Sequence, residues 1–130
     1  MTDFVDPTDP GAVERVLAAG LAGLGPEGLA QQLTKVPGLL VRPGRRAGLL
    51  RGSELAQVEV GDRRLQLGPR GQSSLEHVVG GVRLARDAVA PAALPGVLAA
   101  LVVRAVEQSG ARDQVSVLLT SLRDALAAGA

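Results

Sequence analysis

Residues Leu55–Val60 and Arg63–Leu67 alternate apolar and polar side chains on either side of Gly61-Asp62. Strict alternation is the period of a half-buried strand, and a two-residue loop of this kind joins two strands into a hairpin. Side chains switch face at every residue, so a slip of one position would expose the whole apolar set. The pattern therefore predicts the register as well as the element: Val60 opposite Arg63, Glu59 opposite Arg64, Val58 opposite Leu65 and Ala56 opposite Leu67. One face then holds Ala56, Val58, Val60, Leu65 and Leu67. The other holds Gln57, Glu59, Arg64 and Gln66, where the opposed Glu59 and Arg64 add a few tenths of a kcal/mol. A chain with this hairpin is not all-helical.

Helical signals lie on both sides. Asp9-Pro10 offers a capping carboxylate followed by proline at the first helical position, and Val13, Val16, Leu17, Leu21 and Leu24 recur at helical spacing. Pro26 opens a second, shorter helix through Leu29, Leu33 and Val36, which Pro37 ends. Toward the C-terminus, Pro95 marks a helix start, and from Val97 to Val106 only Arg104 is charged. That helix should be the most buried element. Gly110 suits the position after its end, and Val115, Leu118, Leu119, Leu122 and Leu126 put a stripe on a last helix. The short Ser109-Gly110 link makes the last two helices an antiparallel hairpin.

Between these blocks, Leu39–Arg42 and Arg45–Leu50 read as strands around a Pro43-Gly44 turn. Ser73–Arg86 carries two signals. Ser73-Ser74-Leu75-Glu76 matches a capping box, whereas Val78, Val82 and Leu84 alternate as in a strand and Gly80-Gly81 disfavours a helix. The strand is the preferred reading. The expected fold is α+β: two N-terminal helices at an edge or end, an antiparallel meander of four to five strands, and a C-terminal helical hairpin packed on one sheet face. Residues 1–8, with Asp3 and Asp6, read as a disordered acidic tail, and residues 9–130 as one domain.

The chain has 130 residues, 46% of them hydrophobic, enough for one core. It contains no cysteine, which removes disulfides, zinc fingers, iron–sulfur sites and thiol nucleophiles. The N-terminus has no cationic, apolar leader pattern, and the longest uncharged stretch, Ala88–Val103, is interrupted by Pro91, Pro95 and Gly96. A cytoplasmic location without a membrane span is expected. Thirteen arginines against one lysine, in a background of Ala, Gly, Val and Leu, point to a bacterial, GC-rich source.

No catalytic constellation emerges. His77 is the one imidazole; its sequence neighbour Glu76 points away from it on a helix or a strand alike. No glycine-rich phosphate loop, nucleophile elbow or metal-ligand spacing occurs, so no catalytic residue, metal ligand or cofactor is assigned. Charge is uneven: residues 36–72 carry seven arginines against three carboxylates. Arg42, Arg45, Arg46 and Arg51 surround the Pro43-Gly44 turn, and Arg70 lies in Gly68-Pro69-Arg70-Gly71; such guanidiniums can grip anions through forked hydrogen bonds. A pI near 8.5 and one aromatic residue, Phe4, argue against nucleic acid as the partner.

The expected function is that of a non-enzymatic protein-interaction module: a small bacterial adaptor, chaperone-like or structural accessory protein. Its partner would be another protein with an acidic surface, met by Arg42, Arg45, Arg46, Arg51 and Arg70. Surplus apolar helix surface motivates a homodimer. The alternatives are binding of an apolar or anionic small molecule, and nucleic-acid binding through the arginine-rich middle third.

Overall fold

A computed structural model describes residues 3–42, 56–68 and 73–129. The order is α1 (Pro10–Leu33), β1 (Leu40–Arg42), β2 (Ala56–Val60), β3 (Arg63–Leu67), β4 (Ser73–Val79), β5 (Val82–Val89), α2 (Leu94–Ser109) and α3 (Arg112–Ala128). The strands form one antiparallel sheet in the order β1-β2-β3-β4-β5. The fold is α+β, as the sequence implies.

Asp9 caps α1 by accepting a hydrogen bond from the Gly11 backbone N–H, with Pro10 at the first position. The element is two helices in sequence. At Gly25 the backbone leaves the helix (φ 74°, ψ 171°), and Pro26 restarts it. The break folds the second half back on the first: a Cβ at Gly20 would lie 2.9 Å from Leu29 Cδ1. A larger residue there would have to push the buried Leu29 side chain aside.

The β2–β3 hairpin has the register that its alternation predicts, from Val60↔Arg63 to Ala56↔Leu67. Ala56, Val58, Val60, Leu65 and Leu67 are buried, and each large side chain among them contributes roughly 1.5–3 kcal/mol. β1 takes β2 as its neighbour, with Leu40↔Glu59. The expected strand over Arg45–Leu50 lies outside the described residues. Over Ser73–Val89 the strand reading holds in a different form: Gly80 and Gly81 (φ 58° and 81°) make a tight turn between two strands. Two successive positive φ values are the geometry that matches the twist of a hairpin.

α2 holds Leu98, Val102, Ala105 and Val106 in the core, and Gly110 ends it in the left-handed conformation. The stretch Pro91–Ser109 is long and apolar enough to cross a membrane, yet these side chains pack against the rest of the domain. In α3, Val115, Leu119 and Leu122 are buried.

Two placements differ from expectation. α1 is not peripheral: it packs on β1, β2, α2 and α3, while α2 reaches β2. Its buried face, Val13 to Leu33, covers the apolar surface that would otherwise motivate a helix-mediated dimer. Residues 3–8 are also docked. The Val5 N–H donates to Thr120 Oγ1 at 2.9 Å, and Ser116 Oγ donates to the Val5 carbonyl at 2.7 Å. Val5 is buried among the helices, and this contact holds a segment that charge alone would leave in solvent.

Candidate functional site

On the sheet face away from the core, the registers align Leu40, Glu59, Arg64, Glu76 and Arg86 across all five strands. Charge alternates along this row. Arg64 Nε lies 2.7 Å from Glu59 Oε1, and Arg83 Nη1 lies 3.3 Å from Glu76 Oε2. Glu76 is 3% exposed, and its Oε1 has no hydrogen-bond partner among the described residues.

A bulge builds this arrangement. Val79↔Val82 and Val78↔Arg83 follow from the glycine turn, but His77 then opposes Ala85, leaving Leu84 without an opposite residue. A regular ladder would set Glu76 against Ala85. The extra residue sets it against Arg86, on the face that Arg83 already takes from the turn register, and turns Val89 toward the core.

Beyond the bulge, the β4–β5 hairpin leaves the helical layer. Every residue from Val82 to Ala88 is exposed. Val82 and Leu84 are 60% and 61% exposed, with Val79 also in solvent. β5 ends the sheet order, so among the described residues its outward backbone N–H and C=O groups have no strand partner.

Of the predicted anion-binding residues, Arg42 closes β1 and is exposed on the outer face, opposite Gln57. Arg45, Arg46, Arg51 and Arg70 lie outside the described residues. Arg42, Ala56, Leu67 and Ser73, which bound the two chain segments carrying those four, stand at one end of the sheet. Arg83 and Arg86 escaped the sequence reading. Three residues apart, they belong on opposite faces of a regular strand, and only the bulge brings both to Glu76.

His77 shares its strand with Glu76 and faces away from it, as the sequence implies. Its partner is Asp62, unrecognised in the sequence: His77 Nε2 donates to Asp62 Oδ2 at 2.7 Å. Arg104 on α2 lies 3.2 Å from Asp62 Oδ1 and ties the β2–β3 turn to the helical layer. Partial desolvation raises the Asp62 pKa, but the His77 hydrogen bond, its own backbone N–H and the Arg104 charge outweigh it, holding the carboxyl below its usual value. Among the described residues no serine or threonine hydroxyl bonds to His77, and no three His, Asp or Glu side chains gather as a metal site. The cluster joins the turn to α2.

A groove of about 1070 Å³ runs between the N-terminal segment, α1 and the end of α3. Val16, Ala19 and Leu126 line it, with Phe4, 70% exposed, on its wall.

The sheet, its exposed edge hairpin and the helical groove define a small α+β domain with two open surfaces. The chain belongs to the family DUF5073, a domain of unknown function, whose model matches residues 2–126. No curated protein and no solved structure matches the chain.

Proposed function

We propose that this domain is a non-enzymatic, cytoplasmic protein-interaction module whose partner adds a strand to β5. The observation that carries the reading is the exposure of β5 from Val82 to Ala88. An edge strand offers main-chain hydrogen bonds to an incoming strand, and alternate side chains give selectivity. Val82 and Leu84 supply apolar contact; Arg83 and Arg86 favour an acidic partner. The bulge and the two arginines also discourage indiscriminate edge pairing. The same edge is where a second copy would bind if the domain is a homodimer, since α1 already covers the helical surface.

The test is hydrogen exchange on the full chain with protein captured from a cell extract. Outward-facing β5 amides gain protection on complex formation, and the variant V82D/L84D, folded by circular dichroism, loses the captured protein. Protection confined to other elements, or equal capture by the variant, overturns the reading. Light scattering of the free domain reads self-association, which the same variant abolishes if the edge mediates it.

A further inference from the structure

Across the outer face of the sheet, the row Glu59, Arg64, Glu76, Arg86 alternates in sign and stops at β5. Its first two members pair with each other at 2.7 Å, and Glu76 pairs with Arg83 at 3.3 Å. Arg86 is left over: it is exposed and makes no ion pair among the described residues. The next position in the row lies on an incoming strand, and the alternation calls for a carboxylate there.

The neighbouring row, on the core-side face, makes a second demand. Val58, Leu65 and Leu75 lead across it to Asp87. A charge at the edge of an otherwise apolar row deters apolar strands from pairing. Asp87 is exposed and has no ion pair among the described residues. A strand that docks here without opposing that charge sets a cation against it. Adjacent residues of a strand point to opposite faces, so the two demands fall on consecutive residues of the partner.

A second copy of this chain meets neither demand through its described edges. Opposed residues in an antiparallel pair share a face, so outer-face Arg86 of one copy never opposes core-face Asp87 of another. β5 holds no other carboxylate, and β1, at the far end of the sheet order, offers Leu40, Val41 and Arg42.

We infer that the strand accepted by β5 belongs to a different protein, runs antiparallel, and carries a basic residue followed directly by an acidic one. The basic residue opposes Asp87 and the acidic one opposes Arg86. Every pairing in this sheet is antiparallel, the more stable mode per residue. The inference rests on the strand-addition reading and adds the partner's charge order to it.

The probes are blocked peptides on one frame, Thr-Val-X-X-Val-Thr, with Lys-Glu, Glu-Lys, Glu-Glu or Gln-Gln at the centre. Each carries a neutral coumarin and is titrated into the full chain by anisotropy, while hydrogen exchange locates the complex. Lys-Glu binds about fivefold more tightly than Gln-Gln, the scale of two exposed cross-strand charge pairs, and Glu-Lys binds more weakly than Gln-Gln. Asp87→Lys, at an exposed position, moves the preference to Glu-Glu; Arg86→Gln narrows the gap between Lys-Glu and Gln-Gln. Circular dichroism checks that both variants fold.

Equal affinities with β5 protected, or a preference for Glu-Lys, overturn the inference and leave strand addition standing. Protection of β5 that rises with protein concentration alone identifies a second copy as the occupant and overturns it too. If no peptide protects β5, strand addition itself fails, and the inference with it.

Discussion

The β2–β3 and β4–β5 hairpins use the same device, a two-residue turn with glycine at positive φ, and meet opposite fates. In the first, the apolar side chains of one face are all buried, and an alternation legible in the sequence fixes every pairing. In the second, β5 is exposed along nearly its whole length and a bulge resets the register midway. Local patterning is enough to make a hairpin. What makes it rigid core or open surface is the layer laid over it, and the packing of α1 and α2 falls on β2 rather than on β5.

The largest effect that sharpens this contrast comes from leucine truncations at matched strand positions. Leu65→Ala in buried β3 should cost about 2–5 kcal/mol in urea denaturation, because it leaves a cavity under the helices. Leu84→Ala at the bulge should stay within about 0.5 kcal/mol, as for other surface substitutions. Equal costs would break the distinction between the two hairpins.

Next comes Arg83→Ala. It removes the guanidinium that donates to the buried Glu76 carboxylate and should cost about 1–3 kcal/mol by thermal denaturation. A neutral result would mean that Arg64 and Arg86, directly opposite Glu76, suffice for it.

Smaller still is the pair of turn glycines. Gly61 and Gly80 share φ 58°, so alanine at either should cost about 1–2 kcal/mol from left-handed strain. Only at Gly61 does the new Cβ meet a neighbour, the Arg104 guanidinium at 3.3 Å, whereas nothing lies within 4 Å at Gly80. Gly61→Ala should therefore be the worse of the two, and the difference measures how tightly α2 holds the first turn.

The smallest effect is in the acid limb of stability. A carboxyl whose folded pKa is depressed contributes stability that is present above its unfolded pKa, near 3.8, and lost as pH falls through the lower folded value. Asp62→Asn should flatten the pH dependence of stability below about pH 4. A profile unchanged by the substitution would show that the His77 and Arg104 contacts do not favour the ionised form.

Much of the fold was legible because it rests on short-range rules. The Asp9-Pro10 start, the break at Gly25-Pro26, the β2–β3 register and the Gly110 stop each follow from a few neighbouring residues. The candidate surfaces were much less so. Arg42 is an exposed outer-face residue and Arg83 takes that face from the turn register, but Arg86 gains its place only through an extra residue opposite His77 and Val78. Asp62 and His77, fifteen positions apart, meet because β4 lies beside the β2–β3 turn.

By itself, then, the sequence determined the class, the elements and one hairpin to the residue, since periodicity, caps and turn chemistry act within a few positions of the chain. The tertiary structure alone decided that α1 is the central packing element, that Val5 docks on α3, that β5 stays open and that a groove remains beside α1. These depend on which apolar faces cover one another, a competition among distant segments that no local pattern encodes.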